Sequence, residues 1–350
     1  MRKKILCILL IGIIVFACLV GYLMSGKKQV ELYQLAPDQS SLMESYVIRT
    51  ANNKLIVIDG GIAGEGRPYL PAALRAIVGV EEGEYFEVEA WFLSHNHNDH
   101  VNELAKMLNN YNKDSNYKIN NIYFDFPDYG TKEYLVHNAD MEEWSALKTG
   151  LDNYAKVNGI NIQGESYYDE LNGAVINTKT VEEGLRIEVD GVQIDILQTW
   201  APDDGEDVNS NSLVMKVWVK GQSILFLNDL GLKGEKRLLA GKYKDELKSD
   251  IVQMAHHGQN GISKAGYDII DADVHLWCPP IWVWLDRTGT YPIAEVREWV
   301  NGKEFRKADE YNIVSCMYDA YPTDPTSVED WSETKDGMKI VLPYSYEPRK

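Results

Sequence analysis

The sequence predicts an α/β protein: an αββα sandwich preceded by one apolar N-terminal helix. Three observations lead there. Strand-like hairpins come first, then strand–helix alternation, then hairpins again with further alternation, an order that suits two sheets packed face to face with helices outside. No long linker interrupts the chain after residue 30, so residues 30–350 read as one domain. Behind Arg2-Lys3-Lys4, residues Ile5 to Met24 form a 20-residue run without a charge.

That run is the first element. Twenty helical residues span about 30 Å, the hydrocarbon thickness of a bilayer. Residues 1–29 are therefore expected to be a signal anchor or transmembrane segment, with its basic end inside and the remainder extracytoplasmic. A cleaved signal peptide, which would make the protein secreted, is the competing reading. The run exceeds a usual signal core and no A-x-A site follows it, which favours the anchor and a cell-membrane location. Lipoprotein processing at Cys18 is disfavoured by the bulky Phe16.

The remaining elements follow from periodicity and turn chemistry. Val30 to Leu35, Ser45 to Arg49 and Lys54 to Ile58 are β-rich, the last two separated by the turn signal Asn52-Asn53. Asp59-Gly60-Gly61 ends the hairpin, and its glycines let backbone approach a site closely. Leu70 to Val78 and Val101 to Asn109 read as helices on either side of the strand Phe86 to Leu93. Ile119 to Phe124 reads as a strand, Glu133 to Val157 as one or two amphipathic helices, and 159–183 as a polar loop with short strands. Asp190-Gly191 and Lys220-Gly221 each join a pair of strands as a tight turn. Helices at Lys236 to Ala240, Tyr243 to Leu247 and near Ile293 to Val300 alternate with strands at Ile251 to Ala255, Val274 to Cys278 and Ile313 to Tyr318. The Pro-rich tail, residues 321–350, is expected to wrap the surface.

The chemistry is concentrated after Ala90-Trp91-Phe92-Leu93 and Ser94, in His95-Asn96-His97-Asn98-Asp99-His100. This H-x-H-x-D-H pattern puts four metal-capable side chains within six positions at the end of a buried strand. A turn there can aim His95 and His97 at one cation, and Asp99 and His100 at a second. Imidazole nitrogen and carboxylate oxygen suit zinc best, with manganese or iron as alternatives. Two cations a few ångströms apart can hold a hydroxide for attack on an ester, amide or phosphate.

Downstream, in order, stand Asn211-Ser212-Leu213-Val214, Phe226-Leu227-Asn228-Asp229-Leu230 and Met254-Ala255-His256-His257-Gly258. With the Asp59-Gly60-Gly61 strand end and the histidine motif, this set resembles the metallo-β-lactamase superfamily over roughly residues 30 to 318. It is most similar to the branch containing the exported metallo-hydrolase domain of the competence protein ComEC. The resemblance implies His95 and His97 as ligands of the first metal, and Asp99, His100 and His257 as ligands of the second. It implies Asp229 as a carboxylate bridging both. His256 is then left to touch substrate or move a proton, a task shared with Asp99, and Asp59 to orient a ligand histidine. The implied cofactor is zinc, one or two ions, with manganese as the alternative.

The chain also departs from the family pattern. Many relatives carry one more histidine on the first metal; the corresponding interval here holds only His137, read as an ordinary helix residue, and Asn209 to Ser212 instead. The first metal is therefore expected to have a short ligand set. Asn228 replaces a usual Gly before the bridging Asp, Asn102-Glu103 a usual Gly-Gly, and Tyr291-Pro292 a usual His-Pro. His275 reads as a packing residue and the run Trp277 to Trp284 as cleft wall or core.

Composition narrows the substrate. The formal charge is −18, which disfavours nucleic acid as a partner. Of four cysteines, Cys7 and Cys18 lie in the apolar run, leaving Cys278 and Cys316 either bonded or as free thiols. The expected function is a membrane-anchored, extracytoplasmic, metal-dependent hydrolase of a phosphodiester or phosphate ester, acting on a small molecule or an envelope polymer. The alternatives are a β-lactam or lactone hydrolase of the same fold and a metal-poor surface binding protein.

Overall fold

The structure, a computed structural model, describes residues 29–35, 42–62, 69–127, 138–159, 181–202, 207–284, 289, 292–301, 310–315 and 338–347. The expected anchor, His137, Tyr291, Cys316, and most of the 159–183 loop and the tail lie outside the described residues. Among the described residues no helix is long and apolar enough to cross a membrane.

The first sheet grows from the N-terminal hairpins. Strands β1 (Val30–Gln34), β2 (Tyr46–Arg49) and β3 (Leu55–Ile58) pair antiparallel in sequence order. Asn53, at φ 68°, makes the β2–β3 turn, a backbone region in which Asn is several-fold enriched. Helix α1 (Tyr69–Val78) then crosses over to β4 (Phe86–Phe92), which runs parallel to β3. Helix α2 (Asn98–Asn109) leads to β5 (Tyr117–Ile119) and β6 (Ile122–Tyr123), both parallel to β4, so the single strand expected at 119–124 is two short ones. Helix α3 (Asn138–Asn158) follows.

The second sheet begins with two hairpins, β7 (Arg186–Val189) with β8 (Val192–Gln198), and β9 (Val214–Val219) with β10 (Gln222–Phe226). Both turns have left-handed central pairs, Asp190 and Gly191 at φ 51° and 82°, Lys220 and Gly221 at 50° and 89°, matching the twist of the flanking strands. Helices α4 (Leu232–Ala240), α5 (Lys264–Ile270), α6 (Ile281–Trp284) and α7 (Ile293–Asn301) alternate with parallel strands β11 (Ile251–Gln253), β12 (Val274–Trp277) and β13 (Asn312–Val314). Tyr243 to Leu247 is shorter than expected, a single turn at Lys244–Glu246.

The tail contributes more than a wrap. Residues Met338–Leu342 form an edge strand, β14, antiparallel to β1. Its period of two explains why: Ile340 and Leu342 are buried between the sheets, while Lys339 faces out toward Glu31. The sheet orders are β14-β1-β2-β3-β4-β5, with β6 also on β4, and β13-β12-β11-β10-β9-β8-β7.

The layers are visible in one strand. On β3, Ile56 and Ile58 pack inward against Ile194, Val217 and Phe226 of the second sheet. Leu55 and Val57 pack outward with Leu74, Leu104 and Leu151 of α1, α2 and α3. On the far side Leu225, Val252 and Met254 meet Leu238, Tyr267 and Val296 of α4, α5 and α7. Each such buried aliphatic side chain contributes about 1.5–3 kcal/mol, and covering both faces of both sheets is the αββα sandwich. Strands β3 and β4 of one sheet, and β10, β11 and β12 of the other, end at a common edge, and the residues after β3, β4, β10 and β11 are those the sequence singles out.

Candidate metal centre

Asp59 immediately follows β3 and sits at φ 56°, its amide donating to the Phe92 carbonyl at 2.8 Å. Its carboxylate accepts from the Ser94 amide (2.7 Å) and hydroxyl (2.6 Å), tying the ends of β3 and β4 together. The same carboxylate, through Oδ2, lies 2.7 Å from His100 Nδ1. With Nδ1 engaged, His100 turns Nε2 into the cluster.

Helix α2 starts at Asn98, three residues before the expected start at Val101, so Asp99 and His100 occupy its first turn. The exposed N–H groups there favour the negative Asp99. The two residues that replace the usual glycines have work elsewhere in the fold: buried Glu103 accepts from the Leu70 amide at 2.5 Å, and Asn102 donates to Glu143.

Asp229 follows β10. Asn228 before it has φ 51°, donates to the Leu213 carbonyl at 2.5 Å, and has its own amide held by Gln253. Asn tolerates this left-handed conformation, which explains how it can stand where a glycine is usual. After β11, His256 and His257 have φ 54° and 56°, and Gly258 has φ 84°. A Cβ at Gly258 would sit 2.4 Å from the Trp277 ring. Left-handed conformations at four non-glycine residues around one cluster are the kind of strain that concentrates at functional sites.

These loops bring the six expected ligand residues together. His95, His97 and Asp229 form one group of donor atoms; Asp99, His100, Asp229 and His257 form a second; within each, all donors lie within 4.8 Å of one another. Asp229 belongs to both. Its Oδ2 is 4.0 Å from His95 Nε2, 3.3 Å from His100 Nε2 and 3.4 Å from His257 Nε2. His257 Nε2 also lies 3.1 Å from Asp99 Oδ2. His256 approaches Asp229 at 3.8 Å but, at 25% side-chain exposure, is open to solvent where His95, His100 and His257 are fully buried. The adjacent histidines therefore differ in place, His257 inside the cluster and His256 at its mouth.

The electrostatics are those of a pocket of opposed charges. Burial, with the neighbouring His100 and His97 rings, drives the His95 imidazole well below its usual range, so it is a neutral donor. Burial opposes charge on His100 and His257, but the carboxylates around them, Asp229 foremost, outweigh it and raise both. Burial likewise opposes charge on Asp229 and Asp99, yet the surrounding imidazoles hold both carboxylates low. His256 is lowered, by burial first.

The cluster suits a metal by donor chemistry and by its unused atoms. His100 Nε2 and Asp229 Oδ1 are buried without a hydrogen-bond partner. Imidazole and carboxylate donors in groups of three and four could hold zinc or a similar divalent cation.

Two participants carry no sequence signal. Glu44, just before β2, is fully buried against this edge, with Oε2 3.9 Å from His257 Nδ1. Burial first, then the Asp229 charge, push its carboxyl up to about 8. Cys278, after β12, is a buried free thiol 3.8 Å from the same nitrogen, raised to about 11 chiefly by burial. An isolated Glu between Met43 and Ser45 has no motif spacing, and Cys278 reads as a strand residue. By contrast, His275 is buried on β12 near the Trp277 ring, as a packing residue would be, and Trp277 and Trp284 are core.

A family model described as the Metallo-beta-lactamase superfamily matches residues 44–266, well over half of the chain. No curated protein matches significantly. Among solved structures, the metallo-beta-lactamase fold protein YhfI from Bacillus subtilis is 12% identical with a TM-score of 0.41, over 83% of this chain and 98% of that one. A proposed Zn-dependent hydrolase of the superfamily from Thermotoga maritima is 11% identical with a TM-score of 0.35, over 82% and 98%. A variant of the CmlA beta-hydroxylase is 10% identical with a TM-score of 0.38, over 72% and 46%.

Proposed function

We propose that this chain, which belongs to the metallo-beta-lactamase superfamily, is a metal-dependent hydrolase of a phosphodiester or phosphate ester. Members of the superfamily are typically metal-dependent hydrolases. The observation that carries the reading is the sharing of Asp229 between a three-donor and a four-donor group.

His95, His97 and Asp229 would hold one cation, and Asp99, His100, Asp229 and His257 the other. Zinc is the best match to these donors, manganese the alternative. When bound, such cations activate water and polarise the oxygen of an ester. Asp59 fixes the His100 ring. The Asp99 carboxylate, beside the reacting centre, would share in moving a proton there. His256, at the solvent-facing mouth, contacts substrate or passes a proton to the leaving group. The phosphate-ester class and the ComEC-like affinity rest on the order of motifs in the sequence. Attachment to the membrane, with the hydrolase outside the cytoplasm, rests on the uncharged run from Ile5 to Met24.

Stripping the protein with chelator should abolish hydrolysis of bis(p-nitrophenyl) phosphate, and zinc or manganese should restore it. His97→Ala should be inactive; full activity in that variant would sink the proposal. The three-donor first group favours a second reading, a surface binding protein whose complete four-donor site is structural. Polymer binding unchanged by chelation, without hydrolysis, would establish it.

A further inference from the structure

The two imidazoles of the four-donor group each need their ring fixed, and different devices stand behind them. For His100 it is Asp59, at 2.7 Å from Nδ1. Behind His257, among the described residues, no carboxylate comes as near; Glu44 Oε2 is 3.9 Å from Nδ1. Its Nδ1 faces the Cys278 Sγ at 3.8 Å, and that thiol lies 3.4 Å from Glu44 Oε2 as donor to the carboxylate. Gln253 Nε2 donates to the same oxygen at 3.1 Å, while Glu44 Oε1 is buried without a hydrogen-bond partner. The three side chains come from different strand ends, after β11, after β12 and before β2, so packing of the two sheets alone assembles them.

We propose that Glu44 and Cys278 form a buried relay that positions His257, with its Nδ1–H donating to the thiol and the thiol to the carboxylate, so that Nε2 faces the second cation. This rests on the metal reading above. Three observations support it. First, a fully buried carboxyl group is costly without polar partners, and among the described residues Glu44 has no Lys or Arg partner. It meets the Cys278 thiol, the Gln253 amide and the His257 ring. Second, the donor order is consistent along the chain: ring N–H to sulfur, S–H to oxygen. Third, Glu44 reaches the cluster on a second side, where its carboxyl shares a group of donor atoms with Asp59 and His100, all within 4.8 Å of one another. A hydrocarbon side chain at position 44 would fill the same space and offer the thiol no acceptor. Glu44 and Cys278 are thus positioning residues, acting through His257.

The test is metal affinity in the full chain, by competition with a chromogenic chelator, with zinc as the probe. Wild-type protein should show a tight and a weaker zinc. Glu44→Gln should weaken the tight zinc by about 10- to 100-fold, the usual effect of losing a partner behind a ligand histidine, and leave the weaker one within about threefold. Chelated Glu44→Gln should melt no lower than chelated wild type, since an amide of the same shape replaces a costly buried carboxyl. Cys278→Ala should weaken the same zinc, and Cys278→Ser, which keeps a donor, should recover most of the loss. Should Glu44→Gln fail to fold, the cysteine pair carries the test. Unchanged zinc affinity in Glu44→Gln or Cys278→Ala would overturn the relay. So would equal weakening of both zincs with a lower melting point after chelation, the mark of a purely structural role. A third zinc equivalent lost only in Cys278→Ala would replace the relay by a cation at Glu44, His257 and Cys278. Wild-type protein that binds no zinc would overturn the metal reading itself, and this inference with it.

Discussion

At the scale of single residues, what lies behind an imidazole decides which nitrogen it presents. Asp59 holds two roles at once: it locks His100, and it accepts both hydrogen bonds that Ser94 offers at the end of β4. Asp59→Asn should therefore weaken zinc binding by about 10- to 100-fold. It should also cost the chelated protein about 1–3 kcal/mol, because hydrogen bonds to a buried carboxylate are among the stronger ones. Chelator competition and urea unfolding measure the two separately; a loss in only one would show that Asp59 serves a single purpose. The histidine motif, Asp229 and His256-His257-Gly258 were legible in the sequence because each is a dense or ordered pattern of donor residues. Glu44 was not, because its meaning comes from contacts with Gln253 and Cys278, 209 and 234 positions away. Which of the adjacent histidines enters the cluster is likewise a matter of backbone: both have left-handed φ, and only the chain path distinguishes inside from mouth.

At the scale of elements, turn chemistry and period-two patterns predicted most strands, and the misses have local causes. Helix α2 begins early because the motif itself, Asn98-Asp99-His100, is its first turn, and a ligand-rich turn does not look helical by hydrophobic period. Strand β14 is short and set in a polar, Pro-rich tail, and only pairing with β1 gives it a structure. The turn after β11 is the most tightly specified. Gly258 combines φ 84° with a Trp277 ring where a Cβ would stand. Gly258→Ala should cost about 2–4 kcal/mol from backbone strain and overpacking together, read by urea unfolding of the chelated protein. A change under about 0.5 kcal/mol, typical of unconstrained surface sites, would mean the turn can relax and does not fix His257.

At the scale of the whole molecule, the two sheets meet so that five strand ends deliver donors to one edge, and that convergence is why a family fold and a candidate metal centre arrive together. Order of hairpins and crossovers was enough to predict the layers, since each strand must bury whichever faces it has made apolar. Composition said less: a charge of −18 bears on partners and not on fold. The central claim is that one carboxylate, Asp229, is shared by two cation sites. Elemental mass spectrometry of the purified protein, beside His97→Ala and His257→Ala, tests it most directly. About two equivalents of zinc or manganese are expected, as in two-metal hydrolases, with the first-group metal lost in His97→Ala and the second-group metal lost in His257→Ala. No metal after reloading, or a full complement in both variants, would contradict it.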